Sequence, residues 1–160
     1  MTLIKTIMRA AVVAALVLPT APVFAGEREV AFMQSLAVNY RGSGEIKGED
    51  GGPVNCRLTF RPTGAKLNYT GRCSGGGGSQ SFSGVIRFND EANRWESSSR
   101  GKTVRGKKSG STLSFSMATS DSRGSVSSTM SISPGSARVR FEFESKKGER
   151  SSGSIPFSRV

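Results

Sequence analysis

Two cysteines, Cys56 and Cys73, are the residues of this 160-residue sequence whose type and spacing most directly suggest a covalent bond. In an exported protein an even pair of cysteines is most simply a disulfide. Strand pairing supports the bond independently, because the register that places Phe60 opposite Tyr69 also places Cys56 opposite Cys73. A redox-active pair is the alternative, and the missing Cys-x-x-Cys spacing disfavours it. The sequence therefore predicts a structural disulfide between neighbouring strands.

Groups that could carry catalysis are few. No histidine is present, which removes histidine acid–base catalysis, histidine-ligated haem and most zinc sites. A nucleophilic serine needs a base beside it, and no Ser-x-x-Lys motif leads a predicted helix. The glycine stretch at residues 74–79 lacks the Gly-Lys-Ser/Thr of a phosphate-binding loop. We therefore expect no catalytic residue, no metal and no cofactor, and a protein that is not an enzyme.

Three carboxylates, Asp90, Glu91 and Glu96, gather near one predicted turn. Paired carboxylates could serve acid–base chemistry or hold a cation. Solvation of the turn is the simpler interpretation, and we favour it.

Positive charge is the strongest functional hint after the cysteines. The formal net charge is +11, and residues 97–120 contain no acidic residue. Such an excess attracts anionic partners, although it also keeps a serine- and glycine-rich surface soluble. A candidate patch for an anionic partner consists of Arg57, Arg61, Lys66, Arg72, Arg100, Lys102, Arg105, Lys107 and Lys108. Nucleic acid is the disfavoured partner, because exposed aromatic residues are not interleaved with these cations.

The N-terminus has the pattern of a Sec-type signal peptide. Lys5 and Arg9 precede an apolar run at residues 10–18, and cleavage is predicted between Ala25 and Gly26. The run is shorter than a membrane-spanning helix, which needs about 20 residues. No cysteine lies at the cleavage site to accept a lipid anchor. We therefore predict a periplasmic or secreted protein that is not a lipoprotein and has no transmembrane segment. Residues 1–25 are expected to be removed, and residues 26–160 are expected to form one domain.

Apolar periodicity after the signal changes from helical to strand-like. Residues 26–40 have apolar side chains at helical spacing and predict a short lead-in helix. From residue 54 onward, apolar and polar residues alternate in short runs separated by turn signals. A meander of this length would expose two sheet edges unless it closes. The sequence thus predicts an all-β fold, an antiparallel up-and-down meander barrel of about 8–10 strands.

Two aromatic residues, Tyr40 at the end of the lead-in segment and Trp95 at a core-facing strand position, are candidate walls of a small ligand pocket. Packing in the barrel interior is the other interpretation, because the sequence supplies enough large apolar side chains to fill most of that interior. Any cavity is therefore expected to be small.

The segments at residues 32–48, 54–58 and 71–73 resemble small uncharacterised exported proteins of alphaproteobacteria. More distantly, the aromatic-x-Gly-x-Gly segment at residues 40–44 resembles the first strand of calycin-type barrels, which include lipocalins, streptavidin-like proteins and nitrobindin-like haem proteins. The resemblance implies a meander barrel with a short helix closing one end. Tyr40 stands where those barrels usually have tryptophan, and without histidine the nitrobindin type of haem ligand is absent.

These features leave several classes of function open. The first is a non-enzymatic exported barrel that binds a small apolar molecule in its mouth or a component of the cell envelope. The second is a cationic adaptor that docks on an anionic envelope polymer or nucleic acid. An enzyme that uses carboxylates or a lysine, and a protease inhibitor, are the remaining alternatives. Salt separates the first two classes, because phosphate contacts weaken steeply with ionic strength. The sequence does not specify the ligand or the oligomeric state.

Overall fold

The computed structural model describes residues 25–48, 51–75 and 77–160, so the predicted signal peptide lies, up to residue 24, outside the described residues. Across these ranges the chain forms one helix and ten strands. They are α1 (Ala25–Ser35), β1 (Asn39–Lys47), β2 (Gly52–Thr63), β3 (Lys66–Gly75), β4 (Gly78–Asn89), β5 (Arg94–Ser99), β6 (Lys102–Ser109), β7 (Thr112–Asp121), β8 (Gly124–Ser133), β9 (Ser136–Ser145) and β10 (Arg150–Arg159). Within the same ranges, none of the helical structure is long and apolar enough to span a membrane.

The ten strands form one closed antiparallel barrel. Each strand pairs with its neighbours in sequence, and β1 pairs with β10 to close the ring. Buried and exposed positions alternate along the strands, as in β2, where Val54, Cys56, Leu58 and Phe60 are buried. The predicted up-and-down barrel with a short N-terminal helix is confirmed.

Helix α1 closes one end of the barrel, which we call the helix end. Met33 of α1 and Leu36 just after it are 1% and 0% exposed and belong to the core. Phe32 packs edge-on against Trp95, with 5.6 Å between the ring centroids. The ammonium nitrogen of Lys108 lies 4.7 Å from the centroid of the Phe32 ring, a cation–π contact. The helix is therefore held by apolar burial and by the side chains of two strands.

The helix is shorter than the predicted span of residues 26–40. It ends at Ser35. The carbonyl of Val38 already accepts a hydrogen bond of 3.1 Å from the amide of Phe60 in β2. Tyr40 is consequently an inward residue of β1 rather than a helical residue, because pairing with β2 takes the backbone groups that a longer helix would use.

Inside the barrel, glycines on one strand lie directly opposite aromatic residues on the next. These glycine–aromatic pairs are Gly42–Phe157, Gly71–Phe82, Gly84–Tyr69, Gly106–Phe115 and Gly153–Phe141. A β-carbon added at Gly153 would lie 2.7 Å from the ring of Phe141, and one added at Gly71 would overlap the ring of Phe82. Each glycine thus leaves the space that the ring fills.

Cys56 and Cys73 form the predicted disulfide, which joins β2 to β3 with 4.0 Å between the Cα atoms. The strand register is also the predicted one, with Phe60 opposite Tyr69 and Cys56 opposite Cys73. The disulfide and the register from which it was predicted are both confirmed.

Replacing Cys56 and Cys73 together by serine should lower the free energy of unfolding by about 3 kcal/mol, because the bond restricts the unfolded chain. Urea denaturation followed by the fluorescence of Trp95, the single tryptophan, measures this difference. Wild-type protein treated with a reductant should unfold at the same urea concentration as the serine variant. An unchanged midpoint in both would contradict the prediction.

Substitution of Gly71 by alanine should lower the free energy of unfolding by about 1–3 kcal/mol, because the new methyl group must displace the ring of Phe82. Gly77→Ala is the matched control, since nothing lies within 4 Å of a β-carbon added there. Thermal unfolding of the two variants measures the contrast. Equal losses would show that the glycine–aromatic pair does not limit the packing.

Candidate functional site

The barrel end opposite α1, which we call the mouth, carries apolar side chains that face inward and remain partly exposed. They lie on the same strand faces as the buried core residues but closer to the rim. They are Ile46, Phe82, Val104, Met117, Val126, Phe141 and Phe143. Core residues nearer the helix end, such as Leu67, Ile86 and Leu113, are 0% exposed. The interior is therefore sealed at the helix end and open at the mouth.

One line of inward residues crosses the mouth from β6 to β10, and we call it the mouth row. It consists of Lys102, Thr119, Val126, Phe143 and Ser151. The strand register places Val126 opposite both Thr119 and Phe143, and Phe143 opposite Ser151. The ammonium group of Lys102 donates to the hydroxyl oxygen of Thr119 at 3.1 Å. The row thus combines a cation at one end with apolar side chains in its middle.

A hollow of about 870 Å³ lies at the rim formed by β7 to β10. Thr119, Val126, Phe143 and Ser151 of the mouth row contribute to its lining, and the outward residues that alternate with them complete it, so the hollow extends from the mouth onto the outer wall. Small-molecule sites in proteins have volumes of roughly 300–1,000 Å³. Among the described residues, Met117, Val126 and Phe143 lie outside the packed core cluster. Val126 and Phe143 also line the hollow, so their apolar surface is accessible to a ligand there, whereas Met117 lies deeper on β7 and does not line it.

Tyr40 and Trp95, the candidate pocket walls, lie in the core at the helix end and not at the mouth. They are 1% and 5% exposed. The ring of Tyr40 packs edge-on against Phe60 with 5.6 Å between centroids, and its hydroxyl donates to the carbonyl of Ser133 at 3.4 Å. Burial raises the pKa of Tyr40, which keeps the phenol protonated as a donor. Both side chains belong to the packed core, because they lie at the helix end, which α1 covers.

The cations predicted as one anionic-partner patch fall into separate groups. The outer wall of β2 and β3 carries Arg57, Arg61, Lys66 and Arg72. The outer wall of β6 carries Arg105 and Lys107, and the turn before β6 carries Arg100. Inward positions at opposite ends of β6 hold Lys102 and Lys108. The set does not form a single patch, because successive side chains of β6 point to opposite faces.

Arg41 is a member of the outer-wall group that the candidate patch left out. The register places Arg41 opposite Arg57, and Arg57 opposite Arg72. Arg41 follows Asn39 by two residues, so both point outward from β1. The sequence alone does not show that Arg41 lies beside Arg57, because that depends on the pairing of β1 with β2.

Glu96 lies on the outer wall of β5, and arginine side chains cover it. Its carboxylate accepts hydrogen bonds from Arg87 at 2.9 and 3.1 Å, from Arg94 at 2.9 Å and from Asn89 at 3.2 Å. The guanidinium groups of Arg94 and Arg87 hold the pKa of Glu96 below its usual range. The other two carboxylates of the predicted cluster, Asp90 and Glu91, are exposed in the preceding turn. The three carboxylates therefore do not share an acid–base site, and Glu96 has a structural ion-pairing role.

Within the described ranges, no group of three or more histidine, cysteine, aspartate or glutamate residues is placed to hold a metal ion.

Comparison with known proteins identifies the architecture. No protein-family model matches the sequence, and no curated protein matches it. Among solved structures, Rv2717c from M. tuberculosis matches with a TM-score of 0.58 and 11% identity, over 82% of this chain and 97% of that chain. The S-type phycobiliprotein lyase CPES from Guillardia theta matches with a TM-score of 0.51 and 11% identity, over 85% of this chain and 97% of that chain.

Both neighbours are ten-stranded barrels of the calycin-like kind. The likeness at this level of identity concerns the fold alone. The barrel with a short helix at one end, which the segment at residues 40–44 implied, is therefore confirmed, while the resemblance to exported alphaproteobacterial proteins stays a prediction.

Substitution of Glu96 by glutamine should destabilise the protein at neutral pH and have little effect in acid. Because the folded-state pKa of Glu96 is lowered, its contribution is present above the ordinary carboxyl pKa of about 4.3 and is lost as the pH falls through the lower folded value. Urea denaturation at about pH 7 and about pH 2 measures the difference between wild type and variant. The exposed Glu142, replaced in the same way, is the control. A difference that persists unchanged in acid would contradict the prediction.

Proposed function

We propose that this protein is a non-enzymatic, exported binding protein that holds a small, mainly apolar molecule in the mouth of its barrel. The observation that carries the proposal is an apolar group in which Val126 lies directly opposite Phe143 and Met117 lies diagonally from Val126; all three face inward and remain partly exposed outside the core. Single apolar residues on a surface need no explanation, whereas a contiguous inward group loses hydrophobic free energy unless a ligand covers it. The adjoining hollow of about 870 Å³ has room for such a ligand.

The mouth row supports a polar end on that ligand. Lys102 projects from an inward position and is held by Thr119 at 3.1 Å. Neighbouring strands are about 4.8 Å apart, so Lys102 lies about 14 Å across the sheet from Phe143. A molecule with an apolar body over Val126 and Phe143 and an anionic group at Lys102 fits this spacing.

Binding rather than catalysis is supported by the state of the polar groups. The sequence has no histidine, and the carboxylate of Glu96 is already saturated by arginine and asparagine donors. An enzyme is the alternative, since one structural neighbour is named a lyase. That name applies to the neighbour, and the likeness to it is one of fold.

Export to the periplasm or the exterior is supported by two features. The first 25 residues have the signal-peptide pattern, and the Cys56–Cys73 disulfide belongs to the kind of bond that persists in oxidising compartments. We place the protein in the cell envelope or beyond it on this basis.

Two fluorescent probes test the mouth. The uncharged N-phenyl-1-naphthylamine and the anionic 1-anilinonaphthalene-8-sulfonate should both gain fluorescence with the folded protein. Phe143→Ser should weaken both probes about tenfold, because the variant loses the apolar contact area of the ring. Lys102→Ser should weaken the sulfonate probe and leave the uncharged probe unchanged.

Val85→Ser is the matched control, because Val85 is an apolar residue of β4 on the outer wall. It should bind both probes as the wild type does. Circular dichroism in the near ultraviolet should confirm that each variant is folded. Absence of binding to the folded wild type, or equal binding by Phe143→Ser, would refute a ligand site in the mouth.

A further inference from the structure

Three arginines stand side by side on the outer wall of the barrel, and we call them the arginine row. Arg41 of β1 lies directly opposite Arg57 of β2, which lies directly opposite Arg72 of β3. All three side chains are exposed. Because adjacent strands are about 4.8 Å apart, the Cα atoms of the row span about 10 Å.

The outward residues around the arginine row carry hydroxyl or amide groups. In line with the row, Ser158 of β10 lies opposite Arg41, and Ser81 of β4 lies opposite Arg72. The flanking outward positions on the three strands hold Asn39, Ser43, Asn55, Thr59, Thr70 and Ser74. The row is therefore surrounded by neutral hydrogen-bonding groups, which compensate none of its charge.

Two arginines elsewhere on the outer wall have an acidic residue directly opposite them on the neighbouring strand. Arg150 pairs with Glu144 at 3.3 Å, and Arg87 pairs with Glu96 at 2.9 Å. Among the described residues, no ion pair includes a member of the arginine row. Like charges directly opposite each other across strands destabilise a sheet. An external anion would remove that repulsion.

The chemistry and the spacing of the row suit phosphate. Guanidinium groups recognise phosphate oxygens with two parallel hydrogen bonds. One guanidinium is already oriented, since Nη2 of Arg72 donates to the hydroxyl oxygen of Ser79 at 3.0 Å. Arg41, Arg57 and Arg72 line a shallow hollow of about 500 Å³ together with Asn55 and Ser74.

We propose that the arginine row binds phosphomonoester head groups at an anionic lipid surface. A phosphomonoester carries up to two negative charges, which suits three adjacent guanidinium groups better than the single charge of a diester. The hollow is open on the barrel wall and does not enclose its ligand, so it suits a phosphate presented by a surface. The site lies on β1 to β3 and is separate from the mouth row on β6 to β10, and it goes beyond the proposed binding of a small molecule.

Vesicle co-sedimentation tests the proposal. Phosphatidylcholine vesicles are doped with phosphatidic acid, a phosphomonoester, or with phosphatidylglycerol, a phosphodiester, at matched surface charge. The protein should bind the phosphatidic acid vesicles more tightly. Arg57→Ser should weaken this binding about tenfold or more, because hydrogen bonds to a charged group are lost. Arg57→Lys should also weaken it, because the ammonium group keeps the charge and loses the two-pronged geometry.

Lys107→Ser is the matched control, since it removes the same charge from the outer wall of β6. It should bind as the wild type does. Arg57→Ser should also unfold at the same temperature as the wild type or a higher one, because the repulsion within the row is relieved. Phe143→Ser should retain vesicle binding, and Arg57→Ser should retain binding of both naphthyl probes. The experiments therefore test the arginine row and the mouth independently of each other.

Three results would overturn the inference. Equal weakening by Lys107→Ser and Arg57→Ser would mean that total charge drives the binding. Equal affinity for the two anionic lipids at matched charge would remove the phosphomonoester preference. Binding of soluble glycerol 3-phosphate without binding to vesicles would replace the lipid surface with a free metabolite as the source of the phosphate.

Discussion

The glycine–aromatic pairs determine how this barrel is filled. The diameter of a barrel grows with its number of strands, so the side chains of a ten-stranded barrel must reach far inward to fill it. Where an inward position holds glycine, the ring on the next strand can lean across it, as Phe115 does over Gly106. Two of the pairs, Gly71–Phe82 and Gly153–Phe141, lie toward the mouth. The same constraint that packs the core therefore also orients aromatic rings at the open end.

Parts of the fold were predictable because they depend on local alternation. The strands β2 and β3 have strictly alternating apolar residues, so their register and the Cys56–Cys73 bond follow from the sequence. Strand β6 is different. Its inward positions hold Lys102, Val104, Gly106 and Lys108, and only one of these is a large apolar residue. Its burial is supplied by rings on neighbouring strands, such as Phe115, so the single-strand pattern does not show it.

The candidate site was harder to predict for the same physical reason. Periodicity assigns a side chain to the inside or the outside of a barrel, and it does not assign the end of the barrel at which the side chain lies. Trp95 and Phe143 both face inward, yet Trp95 packs under α1 and Phe143 reaches the open rim. Charge has the same limitation, because Lys107 points outward whereas Lys108, the next residue, points inward and contacts the ring of Phe32.

The closing ladder between β1 and β10 has a consequence for the order of assembly. All other ladders of the barrel join strands that follow each other in the sequence, so they are hairpins that form from short loops. The β1–β10 ladder can form only after β10, the last strand in the chain, has been synthesised. The disulfide lies within the β2–β3 hairpin. Oxidation of its thiols therefore requires only two adjacent strands, and the disulfide can form before β1 pairs with β10.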